Sequence, residues 1–216
     1  MSVTPSIPSH SEGSLVHDER PANPANWWRR ICEVTPNLFL SGGLSGDEDL
    51  ALNQLNEWAE AGITHYIAVH GERDDSEFVH ANSNIICIVE GVDDNGTPRD
   101  PQWFEDVTSA ALEILEDPNA VIMTTCWMGV NRGPSAAYAI LRALGWESVP
   151  ALRAIRTARP IAGIIYAPDA AQWWVERNGG TNREAREAYN EVVEWLYRNP
   201  LDVSYVIRAI GSRTAA

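Results

Sequence analysis

Three short apolar runs recur along the middle of the chain, each bounded by turn-forming or polar residues. They are Ile63–Val69, Asn84–Val89 and Ala120–Met123. Runs of this length rich in Ile and Val read as buried strands. Between and after them the spacing changes to helical. Leu52, Leu55, Trp58 and Ala59 predict an amphipathic helix that Ser45-Gly46-Asp47-Glu48 opens as a capping box and Gly62 ends. Asp100-Pro101 predicts a helix start, with the helix running to about Glu116. Further helices are expected over Pro134–Leu141, from near Ser148 and from near Pro168. Thr181-Asn182-Arg183-Glu184 is a second capping box, ahead of Tyr189, Val192, Val193, Leu196 and Tyr197 at helical spacing, and a last helix is expected over Leu201–Ile210. Strands alternating with helices predict an α/β fold with a mainly parallel central sheet flanked by helices, plus an added C-terminal helical segment. The organisation expected is a disordered tail over 1–26, rich in Ser, Pro, His and Asn, a main domain over 27–180 and a helical extension over 181–216.

Composition narrows the function. The 216 residues carry a formal net charge of −14, which argues against nucleic acid or an anionic membrane as the main partner. No apolar run approaches the roughly 20 residues of a membrane span, and the N-terminal stretch lacks a signal-peptide core, so a cytoplasmic protein is expected. The three cysteines, Cys32, Cys87 and Cys126, have no metal-ligand or disulfide spacing, and no metal or organic cofactor is expected. Either Cys32 or Cys87 is a candidate to cap an oxidised Cys126. Every basic residue is arginine. From Cys126 to Pro160 the acidic balance reverses, with Arg132, Arg142, Arg153, Arg156 and Arg159 against Glu147 alone. Arg153 and Arg156, at i,i+3 spacing, are read either as an outer anion site or as solvated helix charges.

That basic stretch begins at the most specific local pattern in the chain. Cys126-Trp127-Met128-Gly129-Val130-Asn131-Arg132-Gly133 sets a cysteine and an arginine at the two ends of one short loop, C-x5-R, between a buried strand and a helix. Unpaired amides at a helix N-terminus carry partial positive charge and form an anion cradle. The same field stabilises a thiolate. Arg132 supplies a planar fork of donors matched to two phosphoryl oxygens. Gly129 provides the freedom for a mid-loop turn, and Pro134 suits the first helical turn. The candidate site is therefore Cys126 as nucleophile, Arg132 as anion binder, and Trp127, Met128, Gly129, Val130, Asn131 and Gly133 as the phosphate loop. Trp127 is read either as an aromatic wall of the pocket or as a core residue.

At this point the chain resembles the dual-specificity branch of the protein tyrosine phosphatase superfamily. Besides the loop, Val34–Gly42 is similar to that branch's P-x-L-Y-L-G strand and Gly62–Val69 to its G-I-T-x-V-L-N-V strand; Gly145-Trp146 and Arg159-Pro160 follow the loop helix as in that branch. The resemblance covers about residues 30 to 175. It implies a cysteine-dependent phosphomonoester hydrolase working through a phospho-cysteine intermediate, on phosphorylated proteins or small phosphomonoesters. It also implies a general acid on a loop some thirty residues before the cysteine. Asp93 and Asp94 both lie there, and Asp94, four residues before Pro98, matches the family spacing. An alternative is that Asp93-Asp94-Asn95-Gly96 is turn chemistry only.

The chain departs from the family pattern at two positions. Thr125 stands where most relatives have histidine, and Gly133 where most have serine or threonine. Loss of that hydroxyl predicts that the phospho-cysteine forms faster than it hydrolyses. The competing readings are a non-catalytic or slow phosphate-binding module, and a rhodanese-like or arsenate-reductase-like use of the same loop.

Overall fold

The computed structural model describes residues 29–211. The tail expected over 1–26 lies outside them. The chain opens on a hairpin, β1 (Cys32–Thr35) and β2 (Leu38–Gly42), turning at Pro36-Asn37. Then follow α1 (Glu48–Glu60), β3 (His65–His70), α2 (Ser76–Asn82), β4 (Ile86–Val92), α3 (Pro101–Ile114), β5 (Ile122–Cys126) and α4 (Arg132–Ala143). Four more helices complete the described chain: α5 (Ser148–Ala158), α6 (Ala167–Arg177), α7 (Asn182–Arg198) and α8 (Val203–Gly211). The sheet order is β1-β2-β5-β3-β4, parallel except for the β1–β2 pair.

β5 lies between β2 and β3 and is buried at every position, which is why its sequence shows no alternation. Pairing divides side chains between two cores. Phe39, Met123 and Tyr66 are cross-strand partners facing α1 and α2, where Leu55, Trp58 and Val79 complete the smaller core. Leu38, Leu40, Ile67, Val69 and Ile122 face the larger core, made with α3, α4, α5 and α6 and closed by Val192, Trp195 and Tyr205 of α7 and α8. Trp58 is wholly buried and meets Tyr66 edge-on, ring centroids 5.1 Å apart.

Three local expectations need correction. Asp47, not Ser45, caps α1: its side chain accepts from the Leu50 amide, while the Ser45 hydroxyl accepts from the Asp47 amide. Between β3 and β4, where no helix is expected from the sequence, Ser76–Asn82 forms α2, whose one fully buried residue, Val79, leaves no periodicity to read. The opening strand is a two-strand hairpin. The Thr181–Glu184 capping box is present as expected.

Candidate active site

β2, β3, β4 and β5 all end at one edge of the sheet, and the loops leaving them converge there, the usual place for a site in such a sheet. Cys126 is the last residue of β5, almost fully buried. The five residues after it turn back into α4, which begins at Arg132. The turn requires Gly129, whose φ is +62°. A Cβ there would collide with the Arg159 guanidinium and lie 2.5 Å from the Ser41 carbonyl.

The direction of the loop dipoles follows from where its carbonyls go. Cys126 O accepts from Gly43 N at 2.8 Å, and Val130 O accepts from Gly163 N at 2.6 Å. Met128 O and Gly129 O both accept from Arg159, at 3.1 and 2.5 Å. All four point outward to partners behind the loop. In a trans peptide the next N–H points opposite to the carbonyl, so the amides of Trp127, Gly129, Val130 and Asn131 turn to the inner side. Arg159 is fully buried in this role and also donates to Arg30 O at 3.2 Å. The sequence marks Arg159 as part of a basic stretch and of the Arg159-Pro160 pair, but nothing in it marks an arginine as buried against loop carbonyls.

Arg132 is held from two sides. Its Nη1 donates to Glu72 Oε2 (2.8 Å) and Val92 O (2.7 Å), and its Nη2 to Glu72 Oε1 (2.6 Å). Its Nε is buried without a hydrogen-bond partner; Asp94 Oδ2 is 3.5 Å away. Burial pushes this guanidinium down, but Glu72, the Cys126 sulfur and Asp94 together carry it above the ordinary arginine value. The Arg132 hydrogen bond holds Glu72 below the usual carboxylate range. Glu72 was not anticipated, since it lies in an acidic segment with no pattern of its own.

Of the two adjacent aspartates, Asp94 faces Arg132. Its Oδ1 accepts from Asn131 Nδ2 and from the Tyr166 hydroxyl, both at 2.7 Å. Asp93 is exposed, and its carbonyl accepts from Arg99 at 2.7 Å. Asn131 also binds on its other side, where its Oδ1 accepts from Ile165 N at 2.8 Å.

The positions that depart from the family pattern have local reasons. Thr125 donates to the Tyr66 hydroxyl at 3.2 Å, and that hydroxyl lies 3.4 Å from His70 Nε2. It is Thr124 that reaches the start of α4, donating to Gly133 O at 3.3 Å. A Cβ at Gly133 would sit 3.1 Å from Cys126 N and Thr125 C, so glycine lets α4 approach the end of β5 closely. Ser135 donates to Asn131 Oδ1 and accepts from Tyr166 N, both away from this contact. Trp127 and Met128 are half-buried, and Trp127 meets the His70 ring edge-on at 6.3 Å. Val130 packs its side chain against the larger core.

Two further expectations fail. Arg153 is exposed, whereas Arg156 turns to the C-terminal helices, donating to Asn199 O at 3.1 Å and lying over the Trp195 ring, so they form no common anion site. Neither other cysteine reaches Cys126. Cys87 packs against the smaller core on the opposite face. Cys32 pairs with Leu40, and Leu40 with Thr124, which sets it two strands across and two residues back, roughly 12 Å away against a disulfide limit near 7 Å.

This architecture is similar to the fold of solved dual-specificity phosphatases. The structure is similar to human DUSP28 (TM-score 0.56, 18% identity, covering 68% of this chain and 95% of that one). It is also similar to a mouse putative dual specificity phosphatase complexed with zinc tungstate (TM-score 0.55, 17% identity, 77% and 97%). A third similar structure is PTPMT1 in complex with PI(5)P (TM-score 0.52, 12% identity, 77% and 97%). The chain matches no protein-family model and no curated protein at a significant level of similarity. Among the described residues no helix is long and apolar enough to cross a membrane.

Proposed function

We propose that this chain is a cysteine-dependent phosphomonoester hydrolase acting on phosphorylated protein side chains or small phosphomonoesters. The observation that carries the reading is the outward pinning of the Cys126, Met128, Gly129 and Val130 carbonyls, which turns the following amides to the inner side of the loop between buried Cys126 and Arg132. Such preorganised donors bind a tetrahedral dianion and stabilise the charge that spreads over its equatorial oxygens in transfer. The Cys126 thiolate attacks phosphorus and forms an S–P bond. The P–O ester bond breaks, its electron pair stays on the leaving oxygen, and Asp94 Oδ2 supplies the proton. Water then attacks phosphorus, giving its proton to the Asp94 carboxylate, and the sulfur departs as thiolate. The likeness to a phosphatase structure holding tungstate, a tetrahedral oxyanion, supports the same reading.

A second reading, a phosphate-binding module with little turnover, draws support from Gly133, which brings no hydroxyl to assist departure of the sulfur. One experiment separates the two. Wild type should hydrolyse p-nitrophenyl phosphate, and Cys126→Ser should lose at least about a thousandfold in rate while still binding tungstate in calorimetry. Tungstate binding by both proteins with hydrolysis by neither would select the binding module. Equal hydrolysis by both proteins would overturn the assignment of Cys126.

A further inference from the structure

Tyr166 lies beside Asp94 and has no part in the chemistry above. It is the residue ahead of α6, and its ring is almost wholly buried. Its hydroxyl grips the segment carrying Asp94 at two points, donating to Asp94 Oδ1 at 2.7 Å and accepting from the Gly96 amide at 3.1 Å. Burial and the adjacent Asp94 carboxylate hold this phenol above its ordinary value, so it remains a donor. The Arg99 guanidinium lies over the same ring, 4.4 Å from its centroid, and also ties Asp93 O, Asn95 Oδ1 and Thr97 O.

The backbone leading to Tyr166 is constrained. Ile164 has φ +55°, a conformation that a β-branched residue adopts only where its surroundings impose it. Those surroundings are the phosphate loop and the first turn of α4: Gly163 N donates to Val130 O, Ile165 N to Asn131 Oδ1, and Tyr166 N to the Ser135 hydroxyl. Segment 163–166 is thereby docked on the loop around Cys126, and through Tyr166 it sets where Asp94 stands. Both neutral donors, Asn131 and Tyr166, occupy Oδ1. Oδ2 takes neither of these bonds and faces Arg132 Nε at 3.5 Å, which leaves it as the oxygen to carry the transferable proton in the proposed reaction.

We propose that Tyr166 is a positioning residue for Asp94: its hydroxyl fixes the carboxyl so that Oδ2 is presented to the leaving oxygen. This rests on the reading of Asp94 as general acid. The test uses Tyr166→Phe, Asp94→Ala and the double variant with two substrates. The leaving phenolate of 2,4-dinitrophenyl phosphate departs without a proton, whereas that of phenyl phosphate needs one. Tyr166→Phe should lower kcat/KM, which reports formation of the phospho-cysteine, by about tenfold for phenyl phosphate, leave it within about twofold for 2,4-dinitrophenyl phosphate, and add nothing to Asp94→Ala in the double variant. A loss in kcat/KM equal for both substrates, no loss for either, or effects that multiply in the double variant would overturn the inference. If Asp94→Ala itself lowers kcat/KM for both substrates alike, the acid assignment fails first, which is a distinct result. Should Tyr166→Phe not fold, Arg99→Gln, which removes the half-buried guanidinium over the Tyr166 ring, carries the same expectation of a leaving-group-selective loss, and an unselective effect or none overturns it.

Discussion

Gly129 is the residue on which the site geometry is most sensitive to a single atom. Alanine would bring a strained positive φ, costing on the order of 1–3 kcal/mol, and a methyl group directed at Arg159 and Ser41. Relief would push Arg159 off the Met128 and Gly129 carbonyls and release the amides that follow them. A displacement of about 1 Å in a positioned group costs roughly a hundredfold in rate. Gly129→Ala should therefore lower kcat/KM for p-nitrophenyl phosphate by about that factor while the protein still unfolds cooperatively in a thermal melt. At this scale the spacing of Cys126, Gly129 and Arg132 was legible in the chain, because a loop of fixed length needs a nucleophile, a flexible turn and a donor at set intervals. Glu72, Arg159 and Tyr166 were not, because each arrives from a segment whose own sequence gives no reason for where it docks.

At the scale of the element, β3 carries a titratable group into the interior. His70, its last residue, is 1% exposed, and its Nδ1 has no hydrogen-bond partner. Desolvation lowers its pKa from 6.5, against the opposing pull of Asp75 and Glu72 and with the help of Arg132 and Arg73. Between the folded value and 6.5 the unfolded chain binds a proton that the native protein does not. Stability therefore rises with pH through that window and levels off above it. Urea midpoints should be lower at pH 5.5 than at pH 7.5, and His70→Gln should remove part of the difference, with His65, lowered in the same sense, keeping the remainder. An unchanged difference in His70→Gln would contradict this. Element boundaries were legible where a cap or an apolar period marks them, as at Asp100-Pro101 and Thr181. They failed at α2, where one buried side chain per helix carries no period.

At the scale of the molecule, the C-terminal helices belong to the same packing as the sheet. Trp195, 9% exposed, and Val192 from α7 join the core made by α4, α5 and α6. Trp195→Ala should cost on the order of 3–5 kcal/mol in global stability, measured by urea denaturation. A loss near 1 kcal/mol would mean that α7 rests on the surface. Apolar spacing marks α7 as amphipathic, but only the fold decides which helix face meets which.

Period, capping chemistry and the C-x5-R interval are properties of neighbouring residues. The chain alone therefore determined an α/β fold, a mainly parallel sheet and a phosphate-loop pattern ending in Arg132. Sheet order, the choice of Asp94 rather than Asp93 to face Arg132, and the docking of Glu72, Arg159 and Tyr166 depend on contacts across thirty to more than seventy residues. Those contacts form only when burial of the two cores sets the strand ends side by side, and no local interval encodes which loop then meets which.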